Sequence, residues 1–330
     1  MILLICQQAL KDVLAILIIW RIKMKKILFC ILYLFCQSIS AHNIKLVVPF
    51  APGGPADSVA RLIQKDLSQE LNKSIVLEFK AGASGEIGTA IVANAESENL
   101  LLLLNGPGII TTSLLKDKLS YNENNLIPLV NIGYTPCVLV VSKKSQIKNF
   151  KDLQNIDASR PITYGSSGYA TATNLAGESL KLQLNKNFIH VPYKGSGAAI
   201  PNLISGDIDA LIIGYNSVLQ FIESEQVVPL AIESDFRLPS LPNVPTFKEL
   251  GVDDPGKHIW LTLFSNNTAD TETQQQVKQV LIKILSNPEK FKNYENLGFR
   301  PMATLLPTTD FFQVEKRKYR PILKNINIER

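Results

Sequence analysis

Ile44-Lys45-Leu46-Val47-Val48-Pro49-Phe50 is followed at once by Ala51-Pro52-Gly53-Gly54-Pro55-Ala56-Asp57, so an apolar, β-branched run meets a turn of small residues. A helical pattern then begins. From Pro55 to Leu71 the apolar residues Val59, Leu62, Ile63, Leu67 and Leu71 recur at spacings of three and four, one face of a helix lying over a sheet. The same order of strand, turn and helix returns along the chain. Ile75 to Phe79 and Leu100 to Leu104 read as strands, the second running into Gly106-Pro107-Gly108. Beyond Val141 a second series follows: strand Ile162 to Tyr164, helix Tyr169 to Leu182, strand Phe188 to Val191, helix Ala198 to Ser205, and strands Ile208 to Ile213 and Val227 to Glu233. This is α/β grammar, and it predicts parallel strands in two lobes.

The Pro-rich stretch Leu238 to Pro245 suits neither a helix interior nor a central strand, and a short helix is expected over Thr246 to Leu250. Trp260 to Phe264 reads as a strand. Glu272 to Leu285 reads as an amphipathic helix with Val277, Val280, Leu281, Ile284 and Leu285 turned inward, and these terminal elements are expected to return to the first lobe. The expected division is a leader over 1–41, one lobe from 42–141 plus 259–330, and a second lobe over 142–258.

The chain has 330 residues, 46% hydrophobic and 19% charged, which excludes disordered and low-complexity classes. Residues 1–41 carry five Lys/Arg against Asp12 alone, leaving 29 basic and 28 acidic residues for the rest. The basic pI of 8.9 therefore belongs to the leader, and the main body offers no stripe to neutralise a nucleic-acid backbone. From Met24, Lys25-Lys26 precede the apolar run Ile27 to Phe35 and the small residues ending at Ala41, the order of a secretory signal. Met24 is an alternative start, cleavage is expected after Ser40 or Ala41, and an uncleaved anchor built on Val13 to Trp20 is the competing reading. Phe35 before Cys36 argues against lipid attachment. Cys6, Cys30 and Cys36 lie in the leader, so Cys137 alone remains after processing and no internal disulfide is expected.

Four turns of small residues stand between a strand and a helix: Pro52-Gly53-Gly54-Pro55, Gly82-Ala83-Ser84-Gly85, Gly165-Ser166-Ser167-Gly168 and Gly195-Ser196-Gly197, two in each expected lobe. In an open parallel sheet the C-terminal strand ends share an edge, so these turns are expected to line a common crevice. Each helix start brings unpaired N–H groups and a partial positive charge, worth about 0.3 to 1 kcal/mol, while charge-assisted hydrogen bonds add roughly 1.5 to 3 kcal/mol each. Two or three converging turns then reach the ~8 kcal/mol of micromolar binding without an arginine. The crevice prefers an anion. Glycine in any tight strand-to-helix connection is the plainer reading of one turn, and four turns across two lobes favour the ligand site. Asp57, in the first turn of its helix, is expected to cap it or to accept a hydrogen bond from a ligand amine or the facing loop.

The expected ligand-binding residues are Phe50, Ala51, Pro52, Gly53, Gly54 and Asp57; Gly82, Ala83, Ser84 and Gly85; Ser166, Ser167, Gly168 and Thr171; and Gly195, Ser196, Gly197 and Ala198, with Tyr215. Phe50 and Tyr215 read equally well as core aromatics. Lys80 and Lys194 flank the turns and read as solvated rim charges.

At these residues the chain resembles the substrate-binding proteins of tripartite tricarboxylate transporters, the Bug family of periplasmic receptors. Val48 to Asp57 followed by Ala60-Arg61 is similar to the family's opening signature, and Gly82 to Gly88 to its second loop. Tyr164 to Gly168, His190 to Gly195, Leu203 to Asp209 and Leu241 to Thr246 resemble the later motifs, in order, so the likeness runs from Ile44 to the C-terminus. The resemblance implies a two-lobe periplasmic-binding-protein architecture of type II, a Venus flytrap closing on a small carboxylate. It implies carboxylate capture by the first-lobe loops, often through ordered water, with the second-lobe loops selecting the rest of the ligand. It also implies membrane permease subunits as partners. Glu96-Ser97-Glu98-Asn99 stands where the family usually has Asp-Gly-Tyr, and Phe79-Lys80-Ala81 where it has Asn-Arg-Pro. Gly214-Tyr215-Asn216-Ser217 lacks an acid common in relatives, which argues against an amino-acid ligand.

Little in the chain suits catalysis. Gly165-Ser166-Ser167-Gly168-Tyr169 ends on Tyr where a nucleophile elbow needs Gly, no Cys or His pair has zinc spacing, and Gly82 to Gly88 lacks a nucleotide loop's pattern. His190 reads as a satisfied strand histidine rather than a base, and Cys137 as a buried thiol. The expectation is a periplasmic, monomeric solute receptor for a di- or tricarboxylate, with no catalytic residue, metal, cofactor or nucleic acid. A hydrolase or isomerase on the same scaffold, or a signalling receptor, is the alternative.

Overall fold

The computed structural model describes residues 20–21, 23–25, 44–96, 100–253, 259–305 and 310–325. It divides into two compact units, Met1–His42 and Asn43–Arg330. In the first, residues 20–21 and 23–25 are helical. The expected signal core and cleavage sites lie outside the described residues, and no described helix is long and apolar enough to cross a membrane.

The second unit is built on two sheets. In the first, β1 (Ile44–Val48) pairs in parallel with β2 (Ile75–Phe79) and β3 (Leu101–Asn105). The helix predicted over Pro55 to Leu71 forms between those bounds as α1, started by Pro55 at its first position and stopped by Asn72 in the left-handed region. Val59, Ile63 and Leu67 are fully buried against the sheet, and Leu62 and Leu71 pack at its margin. Two more helices follow strands, α2 (Glu86–Ala93) and α3 (Gly108–Leu115).

The chain then enters β4 (Leu126–Thr135), a strand of ten residues. Pro136 interrupts it, and β5 (Cys137–Ser142) pairs antiparallel with β8 (Ala210–Gly214) and β9 (Val227–Ile232) of the other sheet. The expected boundary after Val141 is thus corrected: Cys137 to Val141 belong to the second sheet, because Pro136 has no N–H to carry the first ladder onward. That sheet has the order β7-β6-β8-β5-β9, with β6 (Ile162–Ser166) parallel to β7 (Phe188–Pro192) and to β8. Its helices are α4 (Phe150–Asn155), α5 (Ala172–Leu184), α6 (Ile200–Ser205) and α7 (Tyr215–Glu223). The helix expected over Thr246 to Leu250 is a single 3-10 turn, Lys248–Leu250.

The chain returns as β10 (Ile259–Asn266), antiparallel between β3 and β4, and β11 (Arg300–Leu305) completes the six-stranded sheet β11-β4-β10-β3-β1-β2. Both sheets are therefore mixed rather than parallel throughout, since each receives one strand from the crossing. Helix α8 (Thr271–Ser286) buries Val277, Leu281, Ile284 and Leu285 with the core of α1 and β1, and α9 (Pro288–Asn296) and α10 (Phe311–Asn325) follow. Cys137 is buried in the second lobe's core.

Candidate functional site

Because β1, β3 and β6 end on the side where the lobes face each other, the turns that follow them meet. Ala51 N–H donates to the Lys194 carbonyl at 2.7 Å, a backbone bond across the lobes. Gly197 lies against Gly53, where a Cβ on Gly197 would stand 2.3 Å from the Gly53 carbonyl carbon. Ser84 reaches Gly168, where a Cβ would stand 2.9 Å from Ser84 Oγ. Thr111 Oγ1 donates to the Ala170 carbonyl, and Asn216 Nδ2 donates to the Pro55 carbonyl at 3.2 Å and to Ser58 Oγ at 2.8 Å. The lobes are closed.

A cavity of about 50 Å³ remains between them. The first lobe supplies Phe50, Ala51, Gly54 to Asp57 and the Gly106–Gly108 turn; the second supplies Ser167, Thr171 to Thr173, Gly195 and Ser196. Ile259 and Leu261 of the returning strand form its apolar part. The starts of α1, α3 and α5 all reach this cavity, through Ala56 and Asp57, Gly108, and Ala172 and Thr173. The first-turn N–H groups of a helix have no intrahelical acceptor, so donors and the positive ends of three dipoles converge on one small space. A water needs roughly 10–15 Å³ by this measure, so the space suits a carboxylate group. Ser196, 1% exposed, lies here with its Oγ unpartnered.

Asp57 is the one acid on this lining among the described residues, and its charge is engaged. One carboxylate oxygen accepts the Gly53 N–H at 2.8 Å and the other faces Arg61 Nε at 2.7 Å. It closes its own turn, and Arg61 balances its charge.

A second cavity of about 190 Å³ shares Phe50 and Ser167 with the first and is lined by Gly82 to Gly85, Gly168, Tyr169 and the 192–194 segment. Gly82, Ala83, Ser84 and Gly85 all have positive φ, at 137°, 46°, 56° and 94°. Ala and Ser adopt such values at a cost, and strain of this kind collects at ligand-binding turns. A buried chain holds the turn: Thr89 Oγ1 donates to the Gly85 carbonyl, Asn105 Nδ2 donates to Thr89 Oγ1, and Asn105 Oδ1 accepts the Gly106 N–H. The Gly82 and Gly106 turns are thus coupled through two side chains. A third cavity, about 290 Å³, lies beyond Ser84 and Tyr169 and is bordered by Thr112 and Lys116.

Of the expected residues, Phe50, Ala51, Gly54, Asp57, Ser167, Thr171, Gly195 and Ser196 line the first cavity, and Gly82, Ala83, Ser84, Gly85 and Gly168 the second. Pro52, Gly53, Gly197 and Ala198 line none of the three: Gly53 and Gly197 press on each other across the lobes, and Pro52 and Ala198 are exposed. Ser166 is buried behind its turn. Tyr215 is a correction: its hydroxyl donates to Ser240 Oγ at 2.8 Å and its ring covers Gly298, away from the cavities, because α7 starts there and turns that side chain into the core. Sequence reading misses Pro55, Ala56, the Gly106–Gly108 turn, Ala172, Thr173, Ile259 and Leu261 in the first cavity. The Gly106–Gly108 turn repeats the strand-turn-helix pattern of the other four, whereas the crossing strand carries no local signal.

Two lobes joined by crossing strands, closed over a cavity fed by helix N-termini, define the class of periplasmic solute-binding proteins. The model of the tripartite tricarboxylate transporter family receptor matches residues 59–328, and the chain belongs to that family. It is 30% identical to a protein from the TAR-I ttuE-ttuC′ intergenic region of Agrobacterium vitis, covering 82% of this chain and 80% of that one. Among solved structures it is similar to the periplasmic binding protein BugD, with 26% identity, a TM-score of 0.79 and coverage of 87% of this chain and 98% of that one. It is equally similar to an R. palustris protein solved with adipate, with 26% identity, a TM-score of 0.79 and coverage of 86% and 96%.

Proposed function

We propose that this protein is an exported, monomeric receptor that closes its lobes on a small organic anion, a di- or tricarboxylate, and delivers it unchanged to the permease of a tripartite tricarboxylate transporter. The observation that carries the reading is the meeting of the α1, α3 and α5 starts on one interlobe cavity where the one acid among the described lining residues, Asp57, is already paired with Arg61. One carboxylate sits against those donors, and the rest of the ligand continues past Phe50 and Ser167 into the second cavity. Adipate in the R. palustris relative supports an acid of this kind.

The hydrolase reading gains nothing from the Ser166–His190 pair, although Ser166 Oγ lies 2.6 Å from His190 Nε2 as a nucleophile lies from its base. Ser166 is fully buried and borders none of the three cavities, so none of them brings a substrate to its hydroxyl.

Melting curves of the purified protein with adipate and a panel of di- and tricarboxylates test the proposal, together with mass spectrometry of the acid recovered afterwards. A rise in Tm with the acid recovered intact is expected. No rise with any acid counts against the receptor reading, and a new product counts for an enzyme.

A further inference from the structure

The Ser166–His190 pair has a different use. Ser166 ends β6, and its Oγ accepts the Gly168 N–H at 3.1 Å, lies 3.2 Å from the Gly168 carbonyl and is 2.6 Å from Nε2 of His190 on β7. A hydroxyl has one hydrogen to give. It goes to the Gly168 carbonyl, so the neutral ring carries its proton on Nε2 and donates it to Ser166 Oγ. The parallel register sets His190 beside Tyr164, whose ring stacks on the imidazole at 5.0 Å, and the Tyr169 ring meets its other side edge-on at 5.0 Å.

His190 therefore touches the base and the tip of one turn, residues 166–170, and that turn meets the first lobe at Ser84 and Thr111. Gly168 has φ 127° and abuts Ser84; Ala170 has φ 59° and its carbonyl accepts from Thr111. Ser167 lines the first cavity, and Tyr169 borders the second and third. A turn with a non-glycine residue at positive φ holds its shape only when its surroundings impose it. Here the imidazole supplies part of that constraint from behind, and it lines none of the three cavities.

We propose that His190 is a positioning residue for ligand capture: through Ser166 and Tyr169 it holds the 166–170 turn in the shape that meets Ser84 and Thr111, and so sets the affinity of the closed state. The proposal rests on the receptor reading above. The groups facing the ring are Tyr164, Ser166 and Tyr169, with Glu178 one step further, accepting from the Tyr164 hydroxyl. Burial among them pushes the imidazole down to about 4, so it is neutral in the range where a receptor works.

The test uses protein expressed from the full chain, with adipate as the probe acid. His190→Phe keeps a ring between the tyrosines but removes Nε2; Ser166→Ala removes the hydroxyl; His190→Gln keeps a polar end within reach of Ser166. Affinity is measured by calorimetry and amide exchange at Gly168 and Tyr169 by NMR, with circular dichroism checking the fold. Expected are a loss of about tenfold in affinity and faster exchange in His190→Phe and Ser166→Ala, no further loss in the double variant, and recovery in His190→Gln. Unchanged affinity and exchange in His190→Phe overturn the proposal, as do losses that add in full in the double variant. If the wild type does not bind adipate, that ligand is wrong while the exchange measurement still decides: wild-type exchange in both single variants overturns the role of His190. Should a variant not fold, the ring-nitrogen NMR signals of the wild type decide, since signals showing a freely solvated imidazole contradict the bond to Ser166.

Discussion

Gly197 faces Gly53 backbone to backbone across the lobe contact, with no room for a methyl group unless the lobes move apart: a Cβ on Gly197 would lie 2.3 Å from the Gly53 carbonyl carbon and 2.5 Å from Gly54 N. These glycines let the two backbones close on each other. Gly197→Ala is expected to hold the lobes apart, weakening acid binding by more than about tenfold while leaving the Tm of the unliganded protein nearly unchanged. Calorimetry and small-angle scattering of the variant check both parts.

Asn216 joins the start of α7 to the start of α1 through the Pro55 carbonyl and Ser58 Oγ. Its amide donates both bonds. Asn216→Ala is expected to loosen closure by the worth of a hydrogen bond or two, about 0.5–1.5 kcal/mol each. Asn216→Asp is expected to do more damage, since a carboxylate faces a carbonyl oxygen it cannot bond. Dissociation rates of the bound acid rank the variants.

Glu86 opens α2 behind the strained Gly82 turn. Burial pushes its carboxyl up, but the Lys116 ammonium and the Ser120 N–H outweigh that and hold it below its ordinary value of 4.5. A carboxyl lowered by folding adds stability above its unfolded pKa, and that stability is lost as pH falls through the folded value. Lys116→Met is expected to lower the Tm at pH 7 by a few degrees, roughly 2–4 °C per kcal/mol. The gap to wild type should shrink in acid, once Glu86 is protonated in both. Melting curves from pH 7 down to pH 3 measure it.

His190 has the opposite charge logic and the same direction. Its folded value of about 4 lies below the ordinary 6.5, so the unfolded chain binds more protons between the two, and stability falls as pH drops across that window. His190→Phe is expected to flatten the fall between pH 6.5 and pH 4. The same slope in wild type and variant counts against a buried, neutral ring.

Where side-chain pattern alone decides, reading and structure agree. The apolar spacing from Val59 to Leu71 marks α1 to the residue, and Ile75 to Phe79 is β2. What pattern does not carry is which way a neighbouring strand runs. Cys137 to Val141 are buried in every position, and such a run reads the same in either sheet, so only the pairing with β8 and β9 reveals the crossing at Pro136. The glycine turns were legible as places where backbone comes close to something. Sequence does not say to what: for Gly54, Gly85 and Gly195 it is a cavity, and for Gly53 and Gly197 it is each other. Tyr215 follows a strand-ending glycine as the ligand turns do, but Gly298, distant in the chain, receives its ring.

The most direct measurement is a calorimetric titration of the wild type and Gly197→Ala with adipate and a set of di- and tricarboxylates. One saturable site in the wild type, near ~8 kcal/mol for a micromolar acid and severely weakened in the variant, is the expected result. Wild-type protein that takes up none of the acids, or a variant that binds them as tightly as the wild type, would contradict capture of a carboxylate by lobe closure.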